Sequence, residues 1–262
     1  PTLLRDSVAH AEATAIDMLS LEPFQELGGI WERLILPAGF LLLGATQDLR
    51  AVNDPHASRS AANGQFILIR RSAYLAMGGH AAVRGAVAED GALAARVKAS
   101  GDQMSLLDGE GLLRVRMYRS LGALWEGLAK NIPQMLHGMK PAALAAVLAI
   151  VLAVASVALP VLAAVGVWEH PDGAAWASLA LALGASLALL MTHVGIARHF
   201  RFPAWYAILF PTGYLLGAAL VVTSIARQLR GRVTWKGRTY APRREIRPRA
   251  RAAGAGSPGP YR

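Results

Sequence analysis

The second half of the chain is dominated by three long apolar runs. Residues 141–168 (PAALAAVLAIVLAVASVALPVLAAVGVW) carry no charge over 28 positions, and residues 174–195 and 202–226 are similarly uncharged. A helix crosses a bilayer with roughly 20 apolar residues, so each run is long enough to span. Trp168, Trp176, Trp205 and Tyr206 sit at the edges of these runs, as interfacial anchors do. Pro160 and Pro211 fall inside them, where a missing N–H predicts kinks. The first half alternates shorter patterns. Phe66–Ile69 suits a buried strand, and Asn63-Gly64 before it is turn chemistry. Residues 72–79 predict a short helix stopped by Gly78-Gly79. Glu89-Asp90 then opens a helical pattern that ends at Lys98 and Gly101.

Two further segments have a mixed character. Residues 24–45 are apolar from Leu34 onward but too short to span, which suits either an interfacial helix or an ordinary core helix. Residues 116–136 place Leu121, Leu124, Trp125 and Leu128 on one helical face, the pattern of a helix at the membrane surface.

Charge sharpens the picture and raises a conflict. Hydrophobic residues make up 54% of the 262 positions, and the chain has no cysteine, which excludes disulfides and cysteine-based zinc sites. Lys130 and Lys140 precede the first apolar run, and Arg198 and Arg201 lie between the second and third. The loop between the first and second holds no Lys or Arg, so the basic ends are expected in the cytoplasm. Three full crossings would put the tail outside. Yet from Arg227 onward the chain has 11 Lys/Arg against one Glu, while the remainder has 16 of each sign. Either the third run re-enters around Pro211 or the charge rule is overridden, and a cytoplasmic tail is the expectation. The tail suits a solvated end or contact with anionic head groups. Nucleic-acid binding is excluded, because interleaved aromatics and a matching motif are missing.

Glu89-Asp90 has two readings, which composition and spacing leave open. Carboxylates at a helix start are stabilised by free N–H groups and the macrodipole, so the pair serves as a cap. A carboxylate fixed on a rigid element also suits a general base. His80, after the glycine pair, is either a polar loop residue or part of a pocket. The other histidines show no ligand spacing.

The ordered elements NGQF, LIRR, Tyr74, GGH, EDGALA and Lys98 to Gly101 resemble the second half of the catalytic domain of family 2 glycosyltransferases, in particular membrane-bound bacterial members such as the hopene-associated enzymes. The resemblance extends from residue 16 to WKGRTY at 235–240. It implies an α/β GT-A-like partial catalytic domain followed by an α-helical transmembrane region, and inversion at the anomeric carbon of a nucleotide sugar. It implies that Asp90 takes the proton from the acceptor hydroxyl, with Glu89 beside it. Asn63, Gly64, Gln65, Gly79 and His80 are the implied donor or acceptor contacts. The family's Gln-x-x-Arg-Trp signature is absent, and Arg119 and Trp125 occupy that region as further substrate-binding candidates.

The family also uses an Asp-x-Asp motif to hold Mg²⁺ or Mn²⁺ on the donor diphosphate. No Asp-x-Asp occurs here, so no metal ligand is expected in this chain, although the intact enzyme is expected to use a divalent metal. The chain starts at Pro1 and its first segment resembles the helix after that motif, so the expectation is a fragment lacking the donor half. The expected divisions are 1–115 (catalytic part), 116–140 (interfacial linker), 141–226 (membrane region) and 227–262 (basic tail). The expected partners are a nucleotide-sugar donor, a lipid or membrane-embedded hydroxyl acceptor and the bilayer. The expected location is the bacterial inner (cytoplasmic) membrane, with the catalytic part in the cytoplasm. The competing class is a non-catalytic membrane subunit with a degenerate transferase domain.

Overall fold

The structure is a computed structural model that describes residues 2–230 apart from 47, 87, 131 and 137, together with the backbone of 233–235 and 238–240. In chain order the elements begin with α1 (Thr2–Ala13), β1 (Met18–Glu22), β2 (Phe24–Gln25), α2 (Ile30–Thr46) and α3 (Leu49–Asn53). They continue with β3 (Ile67–Ile69), α4 (Arg71–Ala76), α5 (Glu89–Ala99), β4 (Met104–Asp108) and β5 (Arg114–Val115). The helical half comprises α6 (Leu121–Ala129), α7 (Ile132–Met135), α8 (Met139–Glu169), α9 (Gly173–His199) and α10 (Phe210–Leu229). A backbone hairpin of β6 (Val233–Trp235) and β7 (Arg238–Tyr240) follows. The rest of the expected basic tail lies outside the described residues.

β1 is the centre of a three-stranded sheet ordered β3-β1-β4, antiparallel to β3 and parallel to β4. One face of this sheet carries Met18, which joins Met104, Leu106, Leu93, Ala94 and Val97 in the core beneath α5. The expected strand at Phe66–Ile69 is real from Ile67 onward, but it is half-buried because it lies at the sheet edge. The glycine stop after α4 is also as expected: Gly78 and Gly79 both have positive φ, a conformation that costs glycine little. This α/β region followed by long apolar helices is the fold class that the sequence implied.

Among the described residues, three helical stretches are long and apolar enough to cross a membrane: Met139–Glu169, Gly173–His199 and Ala204–Leu229. At 1.5 Å per residue, α8 is about 46 Å long, more than the roughly 30 Å of a hydrocarbon layer. α8 and α9 form an antiparallel hairpin in which Ser186 Oγ donates to the Ser156 carbonyl at 2.8 Å. Their outward faces are bare, with Leu144, Val151, Leu162, Leu181 and Leu187 exposed, and exposed Trp168 and Trp176 flank the connecting loop. A face of this kind requires lipid, so the chain is a membrane protein.

The third stretch does not cross like the other two. Phe210 and Tyr214, at the start of α10, pack with Ala153 halfway along α8, and against His193 of α9. Ala218 and Val221 pack lower, with Ala142, Ala146 and Leu136. At the end, Gln228 Nε2 donates to Gln134 Oε1 at 2.7 Å, just before α8 begins. α10 therefore runs back down α8, starting at mid-depth and ending where α8 starts. The chain climbs to that depth through a 3-10 segment, Ala204–Leu209. Pro160 lies inside the continuous helix α8. The expectation at Pro211 is corrected: it lies in the first turn of α10, where its missing N–H is no loss.

This return places Lys140, Arg198, Arg201, Arg227 and Arg230 at one end of the bundle, opposite the 170–172 loop. The charge conflict arises only if every apolar run is assumed to cross. The α/β region sits at the basic end, because Phe24 meets the rings of His199 and Phe200.

Helix α2 joins the two halves. Gly213 of α10 lies so close to α2 that a Cβ there would overlap the Leu34 carbonyl oxygen. Small residues permit this approach between helices. Of the two readings of residues 24–45, the structure shows a helix packed into the membrane layer against α8 and α10. Its first turn is locked from the other side. Glu32, only 3% exposed, takes a two-pronged pair of hydrogen bonds from Arg116 and another from the Gly29 N–H. The amphipathic face Leu121, Leu124, Trp125 and Leu128 packs under α2 and α10. The helix there is shorter than expected, capped at Ser120 and followed by the separate turn α7.

Because the natural chain lacks cysteine, single cysteines report topology cleanly. Arg230→Cys and Glu126→Cys are expected to react with an impermeant maleimide from one side of sealed vesicles, and Asp172→Cys from the other. Labelling of Arg230→Cys and Asp172→Cys from the same side would contradict the returning α10.

Candidate functional site

β1 and β4 are parallel and end together, with Glu22 opposite Asp108. The loop from α5 to β4 is short, and α5 packs on both strands through Leu93, Ala94 and Val97. The N-terminus of α5 is thereby directed to the carboxyl ends of the strands, the edge where open α/β sheets bind ligands. Glu89 and Asp90 occupy its first turn.

Both carboxylates lie in the first turn of α5, as the cap reading expects, and Asp90 accepts one of its free N–H groups. The N-cap residue is Ala88, which has no side-chain cap. Glu89 is exposed, while Asp90 is half-buried and held from two directions. Asp90 Oδ1 accepts the Gly91 N–H at 2.8 Å, and Oδ2 accepts the Gly64 N–H at 3.0 Å. The second bond bridges α5 to the turn before β3. Glycine leaves room for this approach, because a Cβ at residue 64 would stand 3.2 Å from Asp90 Oδ2, closer than side chains ordinarily come.

That turn is itself pinned. Ser20, fully buried in β1, accepts the Asn63 N–H at 2.8 Å and lies 3.1 Å from the carbonyls of Asn63 and Phe66. Asn63 Oδ1 accepts the Gln65 N–H. Gln25 of β2 donates to Gln65 Oε1 at 2.8 Å. Asn63, Gly64, Gln65 and Asp90 thus form one connected group.

The other expected residues fall elsewhere. Gly79 and His80 begin a 3-10 turn that packs on α5. His80 Nδ1 pairs with the Tyr74 hydroxyl at 2.8 Å, and the same hydroxyl accepts the His80 N–H. No hydrogen bond joins His80 to Asp90 among the described residues. Arg119 is exposed just before α6. Trp125 is half-buried against the helical core, where it packs rather than faces the Asp90 turn.

Sequence reasoning missed Ser20, Gln25, Glu22 and the Glu32–Arg116 pair. Gln25 and Ser20 carry no motif signal, since only pairing of β1 with β3 brings them to residue 63–66. Glu22 had one available signal, a carboxylate ending a buried run. Its carboxyl titrates above the ordinary glutamate range, chiefly because burial penalises the charge and secondly because Asp108 lies beside it.

A divalent metal needs several oxygen ligands converging. Among the described residues, no group of three His, Cys, Asp or Glu is placed to hold one. The chemistry seen at the strand edge among the described residues is that of a positioned carboxylate, Asp90, without a cluster of metal ligands around it.

An α/β region with a carboxylate at its strand edge, seated on membrane helices, has the architecture of a membrane-associated glycosyltransferase of GT-A type. The model of glycosyl transferase family 21 matches residues 43–247, more than three quarters of the chain, and the protein belongs to that family. The family 2 label expected from the motifs is thereby replaced by family 21; the elements that suggested it are shared more widely than one family. No curated protein and no solved structure matches the chain.

The raised pKa of Glu22 has a pH consequence. A carboxyl raised by folding stabilises fully below its unfolded value, and that contribution is lost as pH rises through the folded value. Glu22→Gln is therefore expected to unfold at a higher temperature than wild type at about pH 8, with the difference vanishing near pH 4. Thermal scans across that range check this. A variant less stable at every pH would contradict the buried-charge account.

Proposed function

We propose that this protein is an inverting glycosyltransferase that moves a sugar from a nucleotide-sugar donor to a hydroxyl of a lipid acceptor. The acceptor oxygen attacks the anomeric carbon, the bond to the nucleotide diphosphate breaks, and Asp90 takes the hydroxyl proton. The observation that carries this reading is the carboxylate of Asp90, fixed by the Gly64 and Gly91 N–H groups at the strand edge of a family 21 domain. Two backbone bonds leave further acceptor positions on the carboxylate. An acceptor hydroxyl becomes acidic only as its bond to carbon forms, so a base here needs position more than strength.

The membrane helices support a lipid acceptor, since the α/β region rests on them at one end. The clustering of basic residues at that end supports a cytoplasmic catalytic part. Membership of a GT-A-type family supports a divalent metal for the intact enzyme. Its Asp-x-Asp motif does not occur in this chain, so the residues named here are assigned to acceptor activation and not to holding the donor diphosphate. Asn63 and Gln65 flank the base and are assigned to orienting the acceptor. Glu89 is exposed at the same helix start, and Gly79, His80, Arg119 and Trp125 are assigned no contact with the reacting atoms.

Asp90→Asn keeps the shape and retains an oxygen for the Gly64 N–H, but it gives up the bond from the Gly91 N–H and has no basic carboxylate. In the intact enzyme, transfer of labelled sugar from nucleotide sugar into membrane lipid is expected to fall by about 10²–10⁴-fold while the variant still folds and inserts. Wild-type turnover in this variant would sink the base assignment. Gly64→Ala pushes the carboxylate by a few tenths of an ångström and is expected to lower transfer about tenfold, with little change in lipid binding. A Gly64→Ala enzyme with lowered lipid affinity and unchanged turnover would show that the turn binds acceptor without placing Asp90.

A further inference from the structure

Between α2, α7, α8 and α10 lies a cavity of about 400 Å³. Phe40 and Leu43 of α2, Leu148 and Leu152 of α8, and Tyr214 and Val221 of α10 are among its walls. Its size falls within the range of small-molecule sites. The space exists because of two glycines on facing helices. Gly39 and Gly217 both line it, and a Cβ built on either meets nothing within 4 Å. Both are in helix interiors, where glycine costs about 1 kcal/mol relative to alanine. Neither position gains close packing from the missing side chain, in contrast to Gly213.

The residues beyond 240 are rich in Arg, Pro and Gly, and such a segment has no apolar face to bury in a hydrocarbon-lined space. Helix α8 is long and apolar enough to cross a membrane and α10 packs along it, so the solvent available to the cavity is lipid. One wall also leads to the site. Phe40 stacks on Phe200 at 4.9 Å, and Phe200 meets Phe24 at 6.0 Å. Gln25, the next residue, binds Gln65, and Gly64 binds Asp90. Over the Phe24 ring stand the guanidinium groups of Arg114 and Arg201, at 4.8 and 5.2 Å from its centre. A hydrocarbon wall thus passes into a polar, cationic rim beside the candidate base.

We infer that this groove holds a hydrocarbon chain of the acceptor lipid, with the hydroxyl-bearing head lying over Phe24 and Gln25. The inference rests on the proposed lipid acceptor and adds the place where its chain is gripped. Chain burial in the groove selects long-chain acceptors and fixes the depth at which the hydroxyl leaves the bilayer.

The test uses the whole chain in phosphatidylcholine nanodiscs with a hexadecanol bearing a diazirine on its chain. After photolysis, peptide mass spectrometry locates the label. Label is expected on Gly39–Leu43 and Tyr214–Val221, and unlabelled hexadecanol is expected to displace it saturably. Gly39→Leu and Gly217→Leu fill the groove and are expected to reduce that label about tenfold, equivalent to about 1.4 kcal/mol of lost binding. Leu181→Trp, on the outer face of α9, is expected to leave it unchanged. Label spread evenly along α8 and α9 without saturation would overturn the inference, as would undiminished label in both glycine variants. The wild-type competition stands even if a glycine variant fails to fold. Labelling requires no turnover. An active Asp90→Asn enzyme would remove the base assignment and leave the groove, whereas unsaturable label would remove the groove and leave the base.

Discussion

The crossing of α2 over α10 at Leu34 and Gly213 is the contact on which the rest of the molecule depends. Backbone meets backbone there, with no room for a Cβ. Dispersion between closely packed helices is the main attraction available inside a bilayer, where the surrounding lipid is as apolar as the helices. The crossing draws a helix from the α/β region into the membrane layer. It also holds α10 along the lower half of α8, so the chain returns to the end from which α8 departed. From the other side, Arg116 clamps the first turn of α2 through Glu32. Two different physics, apolar close packing and an ion pair between buried Glu32 and exposed Arg116, thus act on one helix.

The site inherits its position from this frame. β2 follows β1 directly and leads into α2, so whatever fixes α2 also fixes Phe24 and Gln25. Gln25 reaches Gln65, and the turn at Asn63–Gln65 receives the carboxylate of Asp90. The α/β region sets the direction of Asp90 through α5, and the membrane region sets where the opposing wall stands. Neither half alone brings the carboxylate to the lipid surface.

Much of this was legible in the sequence because it rests on local rules. The three apolar runs, the glycine stop at Gly78-Gly79 and the helix opening at Glu89-Asp90 are matters of composition and spacing. The turn at Asn63-Gly64 was legible as a turn, and the resemblance placed it in the site. That Gly64 gives Asp90 room to approach was not legible, since the two are 26 positions apart. Ser20 and Gln25 were invisible for the same reason. The returning α10 was visible only as a contradiction in the charges, because hydropathy reports apolar length and not direction. Trp125 shows the opposite limit: an aromatic in a motif region lies on the packing face that its own helical spacing had already defined.

The central claim is that a lipid hydroxyl meets the nucleotide sugar on the side of the bilayer where α8 begins and α10 ends. The most direct measurement is sugar transfer in sealed vesicles of known orientation, with the nucleotide sugar supplied to one side only. The account predicts glycosylated lipid when the donor is on the side of residues 140 and 230, and none when it is on the side of the 170–172 loop. Product formed from donor confined to the loop side would contradict it.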